Sequence, residues 1–588
     1  RDVLGSRGLG DVYKRQTEST SGQEDIQKTW WKEAIIYQIY PRSFQDSDGD
    51  GIGDLNGITS RLDYIQSLGV DIIWLNPIFL SPNDDNGYDI SDYREIMREF
   101  GTMEDFDRLL KEIHKREMRL VLDLVVNHTS DEHPWFEEAR KSRHNPYYNY
   151  YHWWPAEKGE PPLRLSYFDE EGNAWMYNKS TDSYYLHYFS RKQPDLNWEN
   201  PEVRQEIFDM MRFWFDKGID GFRMDSISLI AKDPSFPLID SKKYPDIFSF
   251  YAKEPRLHLY LHEMNRQVLS IYDCMSVGEG SAVMVDDVAK FVDPAREELN
   301  MLYHFDAARI RNTTLPDNPE SGIDYSLIAL KKMFTEWDKA VDKGWPSIYL
   351  GNHDQPRMVS RFGSDKDEFR ALSAKMLITF LLTMRGTPYW FAGDEIGMRN
   401  IRFDRIEDYN DIDTINRYKK AKAEGKDPQA VLDEQKETGR DNARTPFQWD
   451  RSPEAGFTAG TPWLKVNPDY TWINVADEEK DPTSILNYFK KVVSFRKENP
   501  SLIYGSYHLL DAENPQCYIF SRKTGADTYL IMLNFSPKAA ISTPGIDMSN
   551  AHVLLDNYGD RSHMAPQKDI TLRPFEAIVF QLNHPVYE

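Results

Sequence analysis

The chain has 588 residues, of which 40% are hydrophobic and 28% are charged. This composition excludes a disordered or fibrous protein, and a chain of this length is expected to form two or three domains. With 95 acidic residues against 71 Lys and Arg, the net charge of −24 opposes binding to nucleic acid or to anionic membranes. We therefore expect neither nucleic acid nor a membrane as a partner.

The first 27 residues lie outside the predicted fold. Residues 1–16 lack an initiator methionine and any apolar periodicity, and no secretory signal is visible in the first 30 residues. We expect residues 1–27 to be a non-native or disordered segment. No apolar run of about 18 residues predicts a membrane span. The expected location is the cytoplasm, or the periplasm or exterior if a signal was removed.

Short apolar runs alternate with amphipathic stretches along most of the chain, which is the pattern of a parallel α/β barrel. Eight runs are predicted as its strands: residues 35–40, 72–75, 120–126, 219–224, 274–277, 302–305, 347–350 and 389–391. The predicted fold class is therefore α/β, a (β/α)8 TIM barrel. Its two parts occupy residues 28–126 and 197–506.

Two further domains are predicted from changes in this alternation. Residues 127–196 follow the third strand, are dense in Tyr, Trp, His and Pro, and contain short alternating pieces such as residues 183–188. An insertion at this point would lie on the rim of the barrel, where loops carry function. Residues 507–588 show short alternating runs bounded by Pro and Gly, which predict a C-terminal antiparallel β domain. The strongly charged residues 419–436 predict one solvated helix.

Acidic residues stand at the carboxyl ends of three predicted strands. Asp225 follows residues 219–224, Glu279 follows residues 274–277, and Asp354 follows residues 347–350. In a parallel barrel these strand ends meet at the rim where catalysis takes place. Two carboxyl groups at close separation can break a glycosidic bond by double displacement, one attacking and the other donating a proton.

Arg223 lies two residues before Asp225, so both side chains point to the same side of their strand. Its guanidinium can keep Asp225 ionised, as a nucleophile requires. We therefore predict that Asp225 is the nucleophile. Glu279, in a drier setting with a raised pKa, would donate the proton and later act as the base.

These residues belong to an ordered set of motifs that resembles the α-amylase superfamily, glycoside hydrolase family 13, and within it the oligo-1,6-glucosidase and α-glucosidase branch. The resemblance covers nearly the whole chain from about residue 30. The motifs are IYQIYPRSF at 36–44, DNGYD at 85–89, DLVVNH at 123–128, QPDLNW at 193–198, GFRMD at 221–225, VGE at 277–279, NHD at 352–354 and RDNARTP at 440–446. In this family the insertion after the third strand is the small B domain.

The resemblance implies substrate-binding roles for several residues. Asp354 would bind sugar hydroxyls and stabilise the oxocarbenium-like state, while His128 and His353 would grip the sugar in the cleaved subsite. Asp85, Tyr88 and Arg440 would close the non-reducing end of the pocket, with Asp85 and Arg440 forming a salt-bridged wall that makes cleavage exo. Four further residues match pocket positions, although each alone is about as often a packing or surface residue as a ligand: Phe189, Gln193, Glu395 and Arg444.

Residues 46–54 carry oxygen donors at the spacing of a calcium loop. Asp46, Asp48, Asp50 and Asp54 occupy positions 1, 3, 5 and 9, and the backbone carbonyl of Ile52 is available at position 7. The glutamate of an EF-hand is absent from position 12. The resemblance implies a structural Ca²⁺ away from the catalytic centre, and a hydrophilic Asp/Gly turn is the alternative.

The predicted function is a retaining exo-acting α-glucosidase for short maltose- or isomaltose-type oligosaccharides, working as a monomer. Sucrose isomerases (isomaltulose or trehalulose synthases) are one alternative, but they carry Arg-x-Asp-Arg after the sixth strand, where this chain has Arg309 and Arg311 in a different pattern. Trehalose-6-phosphate hydrolase is another alternative, but this sequence shows no added basic cluster that would suit a phosphate. The non-catalytic heavy chain of amino-acid transporters needs a transmembrane helix and usually lacks the three acidic residues Asp225, Glu279 and Asp354. This chain shows the reverse on both counts, so the heavy-chain alternative is disfavoured.

The residue after the nucleophile bears on linkage preference. In this branch it is Val in enzymes that favour α-1,6 bonds and is smaller or hydroxylated in enzymes that take α-1,4 bonds. Here it is Ser226. The sequence therefore leans toward α-1,4 or mixed specificity, and one position leaves the choice open.

Overall fold

The computed structural model describes residues 28–168, 172–244, 246–306, 324–525, 527–562 and 568–583. Its centre is one sheet of eight parallel strands in the order β6-β5-β4-β3-β2-β1-β8-β7. These strands are β1 (Ile36–Ile39), β2 (Ile72–Leu75), β3 (Arg119–Val125), β4 (Gly221–Asp225), β5 (Met275–Glu279), β6 (Met301–Tyr303), β7 (Ser347–Tyr349) and β8 (Thr387–Phe391). All eight predicted strands and the TIM-barrel class are confirmed. The prediction for residues 1–27 lies outside the described residues.

Side chains hold β6 and β7 together where the barrel closes. Ser347 Oγ on β7 donates a hydrogen bond of 2.9 Å to the backbone carbonyl of Leu302 on β6. Tyr349 donates from its hydroxyl to the carbonyl of His304, just beyond β6. The other neighbouring strands are joined by parallel backbone ladders. The eight strand ends therefore surround one rim.

The strands consist mainly of apolar residues because both of their faces are buried. In β3, Leu120, Leu122 and Leu124 join the large hydrophobic cluster outside the barrel. Val121, of opposite orientation, joins the cluster inside it. The period of two then directs Asp123 to the same side as Val121. An acidic side chain thus enters the barrel near the rim.

Helices surround the barrel, and the sequence marks where one of them begins. Met103–Lys115 begins with a capping box between Thr102 and Asp105. The other helices of five or more residues are Leu55–Ser60, Leu62–Ser67, Pro134–Ala139, Pro201–Lys217, Arg256–Gln267, Asp324–Ala340, Met358–Phe362, Arg370–Thr383, Ile412–Ala423, Pro428–Thr438 and Ile485–Glu498. Four-residue helices are Trp30–Glu33, Phe248–Tyr251, Ala289–Val292, Asp441–Arg444, Val475–Glu478 and Ser501–Tyr504. Among the described residues, none of these helices combines the length and apolar character needed to span a membrane.

Antiparallel sheets lie in both predicted additional domains. The sheet in the insertion contains Trp153–Pro155, Ser183–Leu186 and Trp175–Asn178, with Ser183–Leu186 in the middle. A C-terminal sheet of five strands contains, in order, Ser506–Leu510, Cys517–Thr524, Asp527–Asn534, Ala577–Asn583 and Ala551–Asp556. Two small sheets pair Ala540–Ser542 with Ile570–Leu572, and Phe79–Leu80 with Asp92–Ile96. The inserted and C-terminal β sheets agree with the prediction.

The charged segment at residues 419–436 is not one helix, as predicted, but parts of two. The helix Ile412–Ala423 ends before Gly425. The φ of Gly425 is +70°, which is incompatible with a right-handed helix. Pro428 then opens Pro428–Thr438, and the side chain of Asp427 caps it by accepting from the amide of Gln429. The break therefore follows from ordinary stop and start signals.

Candidate active site

The three predicted acidic residues line one cavity of about 270 Å³ at the barrel rim. Asp225 ends β4, Glu279 ends β5, and Asp354 follows β7. Predicted substrate-binding residues that share the lining are Asp85, Tyr88, His128, Phe189 and Arg440. Ser226, which bears on linkage preference, also lines the cavity. The lining further contains residues that the sequence did not single out for binding: Tyr167, Phe168, Ser281, Ala282 and Phe305. The aromatic density of residues 127–196 was the available signal for Tyr167 and Phe168.

Arg223 lies beneath the cavity and is fully buried. Its Nη1 donates 2.8 Å hydrogen bonds to Asp225 Oδ1 and to Asp123 Oδ1. Its Nη2 lies 2.6 Å from Glu279 Oε2, and its Nε donates to the hydroxyl of Tyr303 at 2.7 Å. One cation is thus shared by three carboxyl groups from β3, β4 and β5.

Asp225 and Glu279 differ in how firmly they hold a proton. Burial raises the pKa of Glu279 to about 8, against the attraction of Arg223, and the negative charges of Asp225 and Asp354 add to the rise. Burial raises the pKa of Asp225 only to about 6, because Arg223 and a hydrogen bond from Glu279 oppose it. At neutral pH, Glu279 is therefore the acid and Asp225 the carboxylate. Both carboxyl groups contact the one guanidinium of Arg223, so they lie close together, as double displacement requires.

Ser226 turns the chain sharply after the nucleophile strand. Its φ of +42° lies in the left-handed region, which residues other than glycine adopt at a cost. In this conformation its backbone amide donates a 3.0 Å hydrogen bond to Glu279 Oε2. The strained turn thus connects the end of β4 to the carboxyl group on β5.

Asp354 is held by two arginines and a histidine. Arg444 Nη2 lies 3.0 Å, and Arg440 Nη1 3.2 Å, from its Oδ1, while His353 Nε2 is 3.1 Å from its Oδ2. Burial raises the pKa of Asp354, but His353, Arg440 and Arg444 outweigh it and leave that pKa below its ordinary value. Asp354 is therefore an ionised hydrogen-bond acceptor at the cavity surface.

A buried polar network fixes the rings at the floor of the cavity. His353 Nδ1 accepts from Gln38 Nε2 at 2.8 Å, so the ring carries its proton on Nε2, 2.7 Å from the hydroxyl of Tyr88. That hydroxyl donates to Asp123 Oδ2 at 3.0 Å and accepts from Asn76 Nδ2 at 2.8 Å. Burial lowers the pKa of His353 to about 3, so the imidazole is neutral.

His128 and its neighbours form another side of the cavity. Its Nε2 lies 3.0 Å from the backbone carbonyl of Tyr88 and 3.3 Å from Gln193 Nε2, and the ring of Phe189 packs against it at 5.0 Å. Burial lowers the pKa of His128 to about 3, which keeps it neutral. Gln193 also donates to Asp85 Oδ2 at 3.2 Å. Gln193 therefore lies behind the lining, where it orients His128 and Asp85.

The pair Asp85 and Arg440 is present, with an Oδ1 to Nη2 distance of 3.4 Å. Arg440 has shorter contacts to Asp411, which the sequence analysis did not identify: its Nε lies 2.7 Å and its Nη2 2.5 Å from Asp411 Oδ1. Burial raises the pKa of Asp85 to about 7, although Arg440 and Arg444 oppose it. The expected wall is thus a three-residue arrangement centred on Arg440.

Glu395 does not lie at the cavity, contrary to the prediction. It is fully buried, and its carboxylate accepts hydrogen bonds from the hydroxyls of Tyr37 at 2.6 Å and Tyr64 at 2.8 Å. The left-handed glycines Gly393 (φ +100°) and Gly397 (φ +65°) flank it in a tight turn after β8. This turn directs Glu395 into the protein interior, toward the hydroxyls of Tyr37 and Tyr64.

Three carboxylates of residues 46–54 come together away from the cavity. One oxygen each of Asp46, Asp48 and Asp50 lies within 4.8 Å of the others, a group that could hold a metal ion. Burial raises the pKa of Asp50, and the charges of Asp48, Asp46 and Asp54 add to the rise. A cation would relieve this repulsion. Asp54 uses both oxygens in hydrogen bonds, accepting at 2.7 Å each from the amide of Ser47 in the loop and from the amide of Gly57 in the following helix Leu55–Ser60.

Comparison with known proteins agrees with this geometry. Residues 38–505 match the family model of the alpha amylase catalytic domain. The oligo-1,6-glucosidase of Parageobacillus thermoglucosidasius is 51% identical over 95% of this chain and 100% of its own length. The trehalose-6-phosphate hydrolase of Bacillus subtilis is 43% identical over 95% and 99% of the two chains. The crystal structure of a trehalulose synthase from Pseudomonas mesoacidophila superposes with a TM-score of 0.90 at 43% identity, covering 94% and 99%. The chain therefore belongs to the α-amylase family and is a glycoside hydrolase.

Proposed function

We propose that the protein is a retaining exo-acting α-glucosidase that removes terminal α-linked glucose from short oligosaccharides. The observation that carries this proposal is that an ionised Asp225 and a protonated Glu279 contact the same guanidinium of Arg223, in a cavity that Asp85 and Arg440 also line. A carboxylate and a carboxylic acid on neighbouring strands supply the two groups of a double displacement.

In the first step Asp225 attacks the anomeric carbon while Glu279 gives its proton to the glycosidic oxygen. The bond to the leaving sugar breaks as the bond to the Asp225 carboxylate forms. Glu279, now ionised, takes a proton from a water whose oxygen displaces Asp225 and releases glucose. Asp354, ionised and fixed by Arg444 and His353, accepts hydrogen bonds from sugar hydroxyls. Arg223 keeps Asp225 ionised by donating to it from below.

Exo action is supported by the arrangement around Arg440. Its guanidinium contacts Asp85 and Asp354, and the ring of Phe168 lies 4.9 Å from its centre. These groups line the cavity together, and we propose that they close its end, so that one terminal sugar ring fits beyond the cleaved bond. Longer chains would then enter only by their non-reducing end.

For linkage, we propose α-1,6 bonds of the isomaltose type as the main target, with α-1,4 bonds accepted as a secondary one. Several relatives with 45–51% identity bear the name oligo-1,6-glucosidase, which supports the first part. Ser226 lines the cavity beside the nucleophile, where its small hydroxyl leaves space, which supports the second part. The isomerase alternative concerns Arg309 and Arg311, which lie outside the described residues.

We also propose that Asp46, Asp48 and Asp50, with the carbonyl of Ile52 and a contribution from Asp54, hold a structural Ca²⁺. An all-oxygen donor set with crowded carboxylates suits a hard cation of this kind. The ion would neutralise the loop and stabilise the fold without entering the reaction. The domain limits at residues 127–196 and 507–588, a monomeric state and a cytoplasmic location are further proposals that rest on the sequence.

The test is incubation of the purified protein with isomaltose, maltose, sucrose and trehalose-6-phosphate, followed by product analysis. We expect glucose release that is fastest from isomaltose and slower from maltose. Proton NMR during the first turnovers should detect α-glucose before mutarotation, as retention requires. Conversion of sucrose mainly to an isomer, or preferential hydrolysis of the phosphorylated sugar, would overturn the proposal.

A further inference from the structure

Asp411 is a buried carboxylate that lies outside the cavity lining and forms an ion pair with Arg440. It is 1% exposed, and its Oδ1 is the nearest carboxylate oxygen to the Arg440 guanidinium, at 2.5 and 2.7 Å. The contacts of Arg440 to the cavity carboxylates are longer, at 3.2 Å to Asp354 and 3.4 Å to Asp85. Arg440 therefore lies closer to Asp411, outside the cavity lining, than to Asp354 and Asp85, which line the cavity.

The position of Asp411 is itself fixed from two sides. Its Oδ2 accepts from the backbone amide of Thr414 at 3.0 Å and from the hydroxyl of Thr414 at 2.7 Å, at the start of helix Ile412–Ala423. Its own amide, with that of Asn410, donates to Asp441 Oδ2. Because Asp441 directly follows Arg440 in the chain, these bonds fix the acidic and the basic partner relative to each other.

The local charges show what Asp411 contributes. Arg440 and Arg444 together face Asp85, Asp354 and Asp411, and Asp411 Oδ1 also lies 4.0 Å from Arg444 Nη1. Without Asp411, the remaining ion-pair partners of Arg440 would be Asp85 and Asp354, the two carboxylates that are needed for the sugar. A buried cation that loses its closest partner moves toward the remaining anions, since an unpaired buried charge is costly.

We propose that Asp411 is a positioning residue that holds the guanidinium of Arg440 back, so that Asp85 and Asp354 remain available for sugar hydroxyls. This inference rests on the proposed function of the cavity. Loss of the Asp411 charge lets Arg440 move onto Asp85 and Asp354, where it competes with the substrate. The loss therefore affects substrate binding more than the chemical step.

The test compares Asp411→Asn with Thr414→Ala, assayed with isomaltose. The first variant removes the charge and keeps an oxygen for capping, while the second removes a hydrogen bond to the same carboxylate and keeps its contact with Arg440. We expect Asp411→Asn to lower kcat/KM about 10- to 100-fold, as small misplacements near a site do, mainly through KM. Thr414→Ala should stay close to the unmodified enzyme.

A double-mutant cycle separates positioning from general damage. In an Arg440→Ala background, Asp411→Asn should cause little further loss of kcat/KM, because no guanidinium remains to be misplaced. An unchanged KM in Asp411→Asn, an equal loss in Thr414→Ala, or an equally large loss in the Arg440→Ala background would each overturn the proposal. If melting curves show that Asp411→Asn is unfolded, Asp411→Ser, which also caps a helix, replaces it. Failure of the proposed function would appear differently, as an unmodified protein that releases no glucose.

Discussion

Asp225 and Glu279 share the guanidinium of Arg223, which contacts Asp225 Oδ1 through Nη1 at 2.8 Å and Glu279 Oε2 through Nη2 at 2.6 Å. The same cation therefore serves both groups, while their different surroundings separate their pKa values to about 6 and about 8. Opposite roles for two similar carboxyl groups follow from this separation.

Removing either group should abolish turnover without unfolding the protein. We expect Asp225→Asn and Glu279→Gln each to lower kcat by several orders of magnitude, because neither half of the double displacement can proceed. Steady-state kinetics with isomaltose and thermal melting check this. Near-normal turnover in either variant would show that the roles are wrongly assigned.

The pH profile of kcat/KM should be bell-shaped. Activity should rise as pH increases through about 6, where Asp225 loses its proton, and fall through about 8, where Glu279 loses its own. Asp85, with a pKa of about 7, titrates in the same range, so Asp85→Ala is the control. The acid limb should persist in that variant. Its disappearance would assign the limb to Asp85 instead of Asp225.

A cavity closed by Asp85 and Arg440 predicts poor activity on polymers. Starch should be hydrolysed slowly and only to glucose, because one ring fits beyond the cleaved bond. Asp85→Ala should sharply lower kcat/KM on disaccharides, because it removes a sugar contact and one partner of Arg440. Release of mid-length oligosaccharides from starch by the unmodified protein would instead indicate an open cleft.

Calcium should affect stability and leave the reaction unchanged. Chelation is expected to lower the melting temperature, and added Ca²⁺ to restore it, because a ligand that binds only the folded state stabilises it. The double variant Asp48→Asn with Asp50→Asn should lose this response, since these exposed side chains supply two of the three clustered carboxylates. Metal analysis without bound Ca²⁺, together with no thermal shift, would leave only a polar turn.

Lys232 provides a test of fold stability outside the reaction. Its Nζ contacts Asp195 Oδ2 at 2.9 Å and Asn127 Oδ1 at 2.6 Å, and all three side chains are buried. Lys232→Met should cost about 3 to 5 kcal/mol in urea unfolding, because Asp195 loses its buried partner. The exposed pair of Lys115 and Glu112 is the control, and Lys115→Met should cost at most about 1 kcal/mol. Equal effects would contradict the difference in burial.

The barrel could be predicted from the sequence because its signals are local. A strand buried on both faces needs a continuous apolar run, and the acidic residue at its end marks the rim. The spacing of Arg223 and Asp225 placed both groups on one side of β4, as their 2.8 Å contact requires. The single helix predicted for residues 419–436 is wrong although Gly425 and Pro428 are stop and start signals, because charge density alone does not show where a helix ends.

The remaining site residues depend on contacts between distant parts of the chain. The place of Glu395 follows from two left-handed glycines that turn it toward Tyr37 and Tyr64, and a positional match alone does not reveal that direction. Asp411 lies 29 residues before Arg440 in sequence, and only the folded helix pair brings them together. Burial, which sets the pKa values of Asp225 and Glu279, is likewise a property of the assembled barrel.

The hydrogen bonds beneath the cavity form one network of side chains from strands β1 to β7 and the segments that follow them. Gln38 on β1, Asn76 after β2, Asp123 on β3, Arg223 on β4, Glu279 on β5, Tyr303 on β6 and His353 after β7 are linked side chain to side chain, with Tyr88 bridging Asp123 and His353. The groups that set the chemistry thus also tie neighbouring strands together at the rim. A substitution at one of these positions therefore removes a link between neighbouring strand ends as well as a group of the site.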